Sequence, residues 1–187
     1  MKKVILSLIV IAMSIAGSLT QAQNNTSGKK ILVVYYSLSG NTEEIAKQIQ
    51  TLTGGDIFRI ETIQPYPDDY NRTTEVAKEE INMGSGRAIK EKVQNIKDYD
   101  IIFIGSPNWW STIAPPVTTF LKEHDLAGKT VIPFITHGGG GKANCLNDAA
   151  KLCPKSTVPE GFVVSGNRVK SAKTDVEKWL KGIEVIK

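Results

Sequence analysis

The stretch Ile31-Leu32-Val33-Val34-Tyr35-Tyr36 runs without polar alternation straight into Ser37-Leu38-Ser39-Gly40-Asn41-Thr42, and no other feature constrains the fold as strongly. A strand that is apolar at successive positions must be covered on both faces, which is the situation of a parallel sheet flanked by helices. After Thr42 the apolar positions Ile45, Ala46, Ile49 and Leu52 recur at helical spacing. Glu43 and Glu44 place negative charge in the first turn, where the helix dipole favours it. The intervening loop thus lies at the carboxyl end of a strand and the amino end of a helix, where free N–H groups make an anion site. Ser37, Ser39 and Thr42, with Gly40 and Asn41 between them, suit a turn that wraps a phosphate with neutral donors. The alternative is an ordinary N-cap, with Ser39 or Thr42 satisfying one helix N–H. Neither a Walker ending nor a dinucleotide glycine fingerprint follows this strand, and a phosphatase loop would need a cysteine here.

The rest of the chain repeats the strand–helix alternation. Asp56–Ile60 reads as a short alternating strand after Gly54-Gly55. Tyr66-Pro67-Asp68-Asp69-Tyr70 is a turn by composition, its tyrosines read as core or surface residues, and Thr73–Ile81 begins a helix. Gly84-Ser85-Gly86 interrupts that helical pattern, which resumes from Arg87 through Val93 and Ile96. Ile101–Gly105 is a second fully apolar strand, and Ser106-Pro107-Asn108-Trp109-Trp110 is expected as its loop. Pro115-Pro116 suit the first turn of a helix carrying Val117, Phe120 and Leu121. Thr130–Ile135 forms the next strand, with a bulge or an unpaired position at Pro133, and ends at Thr136-His137-Gly138-Gly139-Gly140-Gly141. A helix from about Ala143 to Cys153 stops at Pro154. A last strand lies within Thr157–Val164, and a closing helix with Thr174 or Asp175 as cap carries Val176, Trp179, Leu180 and Ile183 on one face. This alternation predicts an α/β fold, a doubly wound five-stranded parallel sheet of order 2-1-3-4-5. In that order the first and third strands leave for opposite faces, and ligands bind in the crevice at their carboxyl ends.

Lys2 and Lys3, the apolar run Val4–Gly17 and the small-residue site Thr20-Gln21-Ala22 read as a secretory signal cleaved after Ala22. Residues 23–29 are a polar lead-in, and 30–187 form the domain. The apolar run is short for a bilayer span and no cysteine near the cut could take a lipid, so the mature protein is expected to be exported, periplasmic or secreted, without a membrane span. Removing residues 1–22 takes two lysines and no acid, so the net charge of +4 becomes +2. The lysines form no run, which argues against nucleic acid or a membrane surface as partner. Cys145 and Cys153 lie eight positions apart on a helical pattern, about 12 Å of rise, so two buried thiols are favoured over a disulfide. Two His and two Cys at no ligand spacing argue against a metal site.

An anion-binding turn, an aromatic loop and a Gly-rich loop converging on one crevice suit a ligand with a phosphate at one end and a flat ring system at the other. Gly138–Gly141 let a backbone approach a planar ring and offer N–H donors to its carbonyls, and Trp109 or Trp110 can cover a ring face. FMN has that shape. The pattern of Ser37–Thr42, Gly105–Trp110 and Thr136–Gly141, at this spacing, resembles the flavodoxin family over about Lys30–Lys187. The resemblance implies that Ser37, Leu38, Ser39, Gly40, Asn41 and Thr42 hold the FMN phosphate. It implies that Pro107, Asn108, Trp109 and Trp110 flank the isoalloxazine on one side, and His137, Gly138, Gly139 and Gly140 on the other. The carrier flavodoxins are acidic and stack a tyrosine in the last loop, whereas this chain is slightly basic and has no aromatic residue between Thr136 and Pro154. Two-electron reduction of quinones or similar acceptors is therefore expected, with a one-electron carrier or a non-catalytic binding module of the same fold as alternatives. A phosphoacceptor receiver is disfavoured because the strand ends lack clustered aspartates for Mg²⁺. The partner is a small-molecule acceptor or a redox protein, and no segment reads a nicotinamide.

Overall fold

A computed structural model describes residues 28–187; the expected signal segment, residues 1–22, and most of the lead-in lie outside them. Strand β1 (Ile31–Tyr35) is buried along its whole length. Its alternate side chains feed two separate cores. Leu32 and Val34, with Tyr36 just beyond, join Ile102 and Ile104 of β3 (Ile101–Trp109) on one face, where Val117 and Phe120 of α3 (Pro115–Glu123), Ala149 of α4 (Cys145–Lys151) and Ala77 of α2 (Tyr70–Met83) cover them. Ile31, Val33 and Tyr35 join Ile101 and Phe103 on the other, beneath Ile45, Ala46 and Ile49 of α1 (Asn41–Thr53) and Val176 and Leu180 of α5 (Lys173–Gly182). Each such aliphatic side chain, fully buried, contributes about 1.5–3 kcal/mol, so neither layer is dispensable.

The strand order is β2-β1-β3-β5-β6, where β2 is Asp56–Arg59, β5 is Thr130–His137 and β6 is Phe162–Ser165. These five strands pair in parallel and reproduce the expected order. A sixth strand, β4 (Thr112–Ile113), pairs antiparallel with the end of β3. The chain leaves β1 for the α1 face and β3 for the α3 face, so a crevice opens between their carboxyl ends.

Several local expectations are corrected. The pattern from Arg87 to Ile96 is not helical: Gly84 ends α2 in a left-handed conformation, and Ile89 bridges Thr62 in an antiparallel contact. The Arg87 guanidinium ion-pairs with Glu80, stacks 3.9 Å from the Tyr66 ring centre and donates to the carbonyls of Gln64 and Pro65, which holds that segment extended. Tertiary contacts override a weak local period there. The stretch 106–109 is strand rather than loop. At Pro133 the second expected alternative, an unpaired position, holds in place of a bulge: the register with β3 runs through Ile104↔Pro133 unbroken, and pairing with β6 starts only at Phe134. Helix α5 starts at Lys173, and neither Thr174 nor Asp175 caps it. Cys145 and Cys153 are free and buried, as expected.

Candidate functional site

After Tyr36, whose N–H donates to Gly105 O at 3.1 Å, the chain leaves the sheet. Buried Ser37 accepts the Gly40 N–H on its Oγ at 3.1 Å, which folds 37–40 into a tight turn. Gly40 sits at φ 87°, where a side chain would be strained, and it precedes α1 with no side chain capping that helix. The N-cap alternative for Ser39 and Thr42 is thereby overturned. Ser39 is exposed, and the buried Thr42 hydroxyl instead meets the Thr136 hydroxyl at 2.9 Å, tying the turn to the end of β5. Among the described residues no side chain caps the first amides of α1, which leaves them as donors at the positive end of a helix.

The same turn carries a cation that sequence reasoning missed. The parallel register Tyr35↔Arg59 brings the end of β2 beside it, and Arg59 donates Nη2–H to Ser37 O at 3.3 Å. Arg59 also pairs with Glu43 at 3.0 Å, which Lys47 meets at 2.6 Å. The hydrogen bond from Lys47, with the charges of both cations, holds the Glu43 carboxyl below its ordinary value. On the far side, Asn41 lies against Gly166, where an added Cβ would meet Asn41 Nδ2 at 2.5 Å.

The second stretch is a hairpin. β3 continues through Pro107 and Asn108 to Trp109, turns at Trp110-Ser111 with φ 50° and 69°, and returns as β4. A two-residue turn with both φ positive ordinarily takes Asn or Gly, so a tryptophan there costs on the order of 1 kcal/mol or more. The two tryptophans differ in role. Trp109 is wedged edge-on against Tyr36 and Tyr66, with ring centres 5.7 and 4.9 Å away. Trp110 is 51% exposed, anchored by its indole N–H to Thr74 O at 2.9 Å, with the Lys78 ammonium 4.8 Å from its ring centre. Ser106 is used structurally, accepting the Ala114 N–H at 2.8 Å.

In the third stretch His137 Nδ1 accepts the Gly139 N–H at 3.1 Å, so the imidazole braces the loop through an acceptor nitrogen. Added Cβ atoms at Gly138 and Gly139 would meet nothing. Gly140 lies close under Asn108, whose Nδ2 donates to Gly141 O at 2.9 Å and joins the hairpin to this loop. Pro107 stands in register with Thr136. The residues picked out from the sequence thus fall on one edge of the sheet, linked through Thr42–Thr136 and Asn108–Gly141.

A cleft of about 410 Å³ adjoins them. Leu38, Asn108, Trp109 and Trp110 form one wall, and Tyr70, Thr73, Thr74 and Ala77 of α2 the other, so α2 borders a site in which the sequence reading gave it no part. Among the described residues, no carboxylate lines the cleft. Asp148 accepts the Thr112 hydroxyl of β4 at 2.7 Å, with its charge paired to Lys151 at 3.1 Å. Burial pushes the Cys145 thiol up to about 12 and Cys153 up to about 11, which makes both inert.

The sequence pattern of a flavodoxin family matches residues 30–183. A candidate flavoprotein of Bacteroides eggerthii DSM 20697 shares 34% identity over 83% of this chain and 98% of its own, with a TM-score of 0.74. One from Bacteroides uniformis ATCC 8492 shares 29% over 82% and 99%, with a TM-score of 0.73. A flavoprotein of Lactobacillus acidophilus NCFM, solved in complex with FMN, has the same fold at 24% identity over 81% and 98%, with a TM-score of 0.65. No curated protein matches the chain.

Proposed function

The chain belongs to the flavodoxin family, and from that premise we propose that it binds FMN and works in electron transfer through it. One observation carries this reading: α1 begins at a left-handed glycine with no side-chain cap, so its first amides face outward as anion donors. The donor set fits the group. Exposed Ser39 adds a neutral donor beside those amides, and the nearby Glu43 is balanced by Lys47 and Arg59. Open space over Gly138 and Gly139 admits a flat ring against the backbone.

In this reading Ser37–Thr42 hold the phosphate, Pro107–Trp110 flank the ring on one side and His137–Gly140 on the other. The flavin, when bound, supplies storage for two electrons. His137 keeps the Gly139 amide oriented, and Trp109 fixes the hairpin against Tyr36 and Tyr66. We further propose two-electron delivery to a quinone, which takes up two electrons and two protons to become a hydroquinone. Support comes from charge. Neither 105–116 nor 136–145 contains an acid, Lys142 stands in the Gly-rich stretch, and the charge of Asp148 is paired. With few like charges nearby, the negative charge of a reduced ring is opposed weakly. A redox titration of the FMN complex tests this: one two-electron wave is expected, whereas two well-separated one-electron waves would make the protein a carrier. Export follows from the amino-terminal pattern as a proposal of its own, and mass spectrometry of the mature chain should find Gln23 at its start.

A further inference from the structure

We propose that the cleft between α2 and the β3–β4 hairpin is a second binding site, which seats the flat aromatic electron acceptor beside the FMN crevice. Its role as an acceptor site rests on the flavin reading; its existence as a binding site does not. Leu38, Tyr70 and Trp110 are 52%, 77% and 51% exposed and gather around this one cleft. Clustered exposed apolar side chains mark an interaction site where single ones do not. At about 410 Å³ the cleft is within the range of small-ligand sites.

The cleft is separate from the anion site. Its lining takes only Leu38 from the first loop, without Ser37, Ser39 or Thr42, and nothing from the Gly-rich loop; Asn108, Trp109 and Trp110 are a wall it shares with the flavin crevice. The donors that a phosphate and a flavin's carbonyls require are therefore elsewhere. The hairpin is the partition, bonded on one side to Gly141 through Asn108 and on the other to α2 through Trp110 and Thr74 O. The cleft offers aromatic faces and little hydrogen bonding, which favours a quinone nucleus over a sugar, a peptide or a second nucleotide. Lys78, held over the Trp110 ring, places positive charge beside that wall, which favours an acceptor bearing a carbonyl or an acidic substituent. The strained placement of Trp110 at φ 50° gains a reason, since it holds the indole out as a wall of the cleft.

The probe is anthraquinone-2-sulfonate, a flat, anionic quinone whose fused rings leave no site for thiol or amine addition, titrated into the ¹⁵N-labelled full chain without flavin. The indole N–H resonance of Trp110 should shift on binding and that of Trp179 should not. Tyr70→Ala, and Thr74→Phe to fill the cleft, should each weaken the probe by tenfold or more, while FMN affinity stays within twofold. A thermal melt confirms that each variant is folded. Cleft resonances that do not move, or wild-type probe affinity in both variants, would overturn the proposal. So would loss of FMN and probe together, which would make the cleft the flavin's own seat. If the probe binds here but FMN binds nowhere, the second site stands and the flavin reading fails.

Discussion

The two ends of the parallel sheet are built from the same strands and treated oppositely. At the amino ends the backbone closes on itself: Asp100 N–H donates to Lys30 O at 2.9 Å, Thr130 N–H to Asp100 O at 2.9 Å, and Thr157 N–H to Lys129 O at 2.9 Å. Side chains complete the closure, with Lys30 N–H on Asp100 Oδ2 at 2.7 Å and Lys129 Nζ on Tyr99 O at 2.6 Å. At the carboxyl ends the polar groups are Ser37, Thr42, Ser106 and Thr136, all buried, and their bonds shape loops without capping α1. One end uses its hydrogen-bonding capacity internally. The other holds back donors, and a chain that leaves helix amides uncapped gains from a ligand that supplies the acceptor.

Three substitutions test that difference. The largest effect is expected from Ser39→Asp, which puts a carboxylate against the phosphate site: FMN affinity measured by fluorescence titration should fall by about tenfold or more. Next is Trp110→Ala, expected to weaken FMN by about 1 kcal/mol, with Trp110 quenched on binding in the wild type. Trp179, anchored to Glu160 O at 3.1 Å on the opposite face, should be silent. If both loop tryptophans can be changed to Leu with no effect on affinity or flavin spectrum, ring stacking by this hairpin is wrong. The smallest is Asp100→Asn at the closed end. Denaturant unfolding should show a loss below about 1.5 kcal/mol, with FMN affinity unchanged. A loss of FMN affinity in that variant would mean that the two ends are not independent.

The parts legible in the sequence were those that local chemistry determines. Unbroken apolar runs at 31–36 and 101–105 announced doubly covered strands, and loop composition marked the carboxyl edge as the ligand end. What was hidden depends on register and packing. Arg59 reads as the end of an ordinary strand, and only its alignment with Tyr35 puts its guanidinium on the first loop. Tyr70 and Thr74 read as turn and helix residues, and the cleft they wall exists only once α2 lies beside the hairpin. The helical period of 87–96 lost to the Arg87 contacts with Glu80, across the end of α2, and with Tyr66, 21 positions back in the sequence. The hairpin was hidden because its turn uses Trp-Ser in place of the usual Asn-Gly.

The central claim is that the open end of the sheet is a phosphate site, and the most direct test compares FMN with riboflavin, which differ only in the phosphate. Both are titrated into the protein under identical salt, with flavin fluorescence as the signal. FMN is predicted to bind more tightly by about tenfold or more, as expected for a dianion at uncapped helix amides beside an arginine. Equal affinity for the two would contradict the account, because the 37–42 turn would then be a helix start with no ligand role.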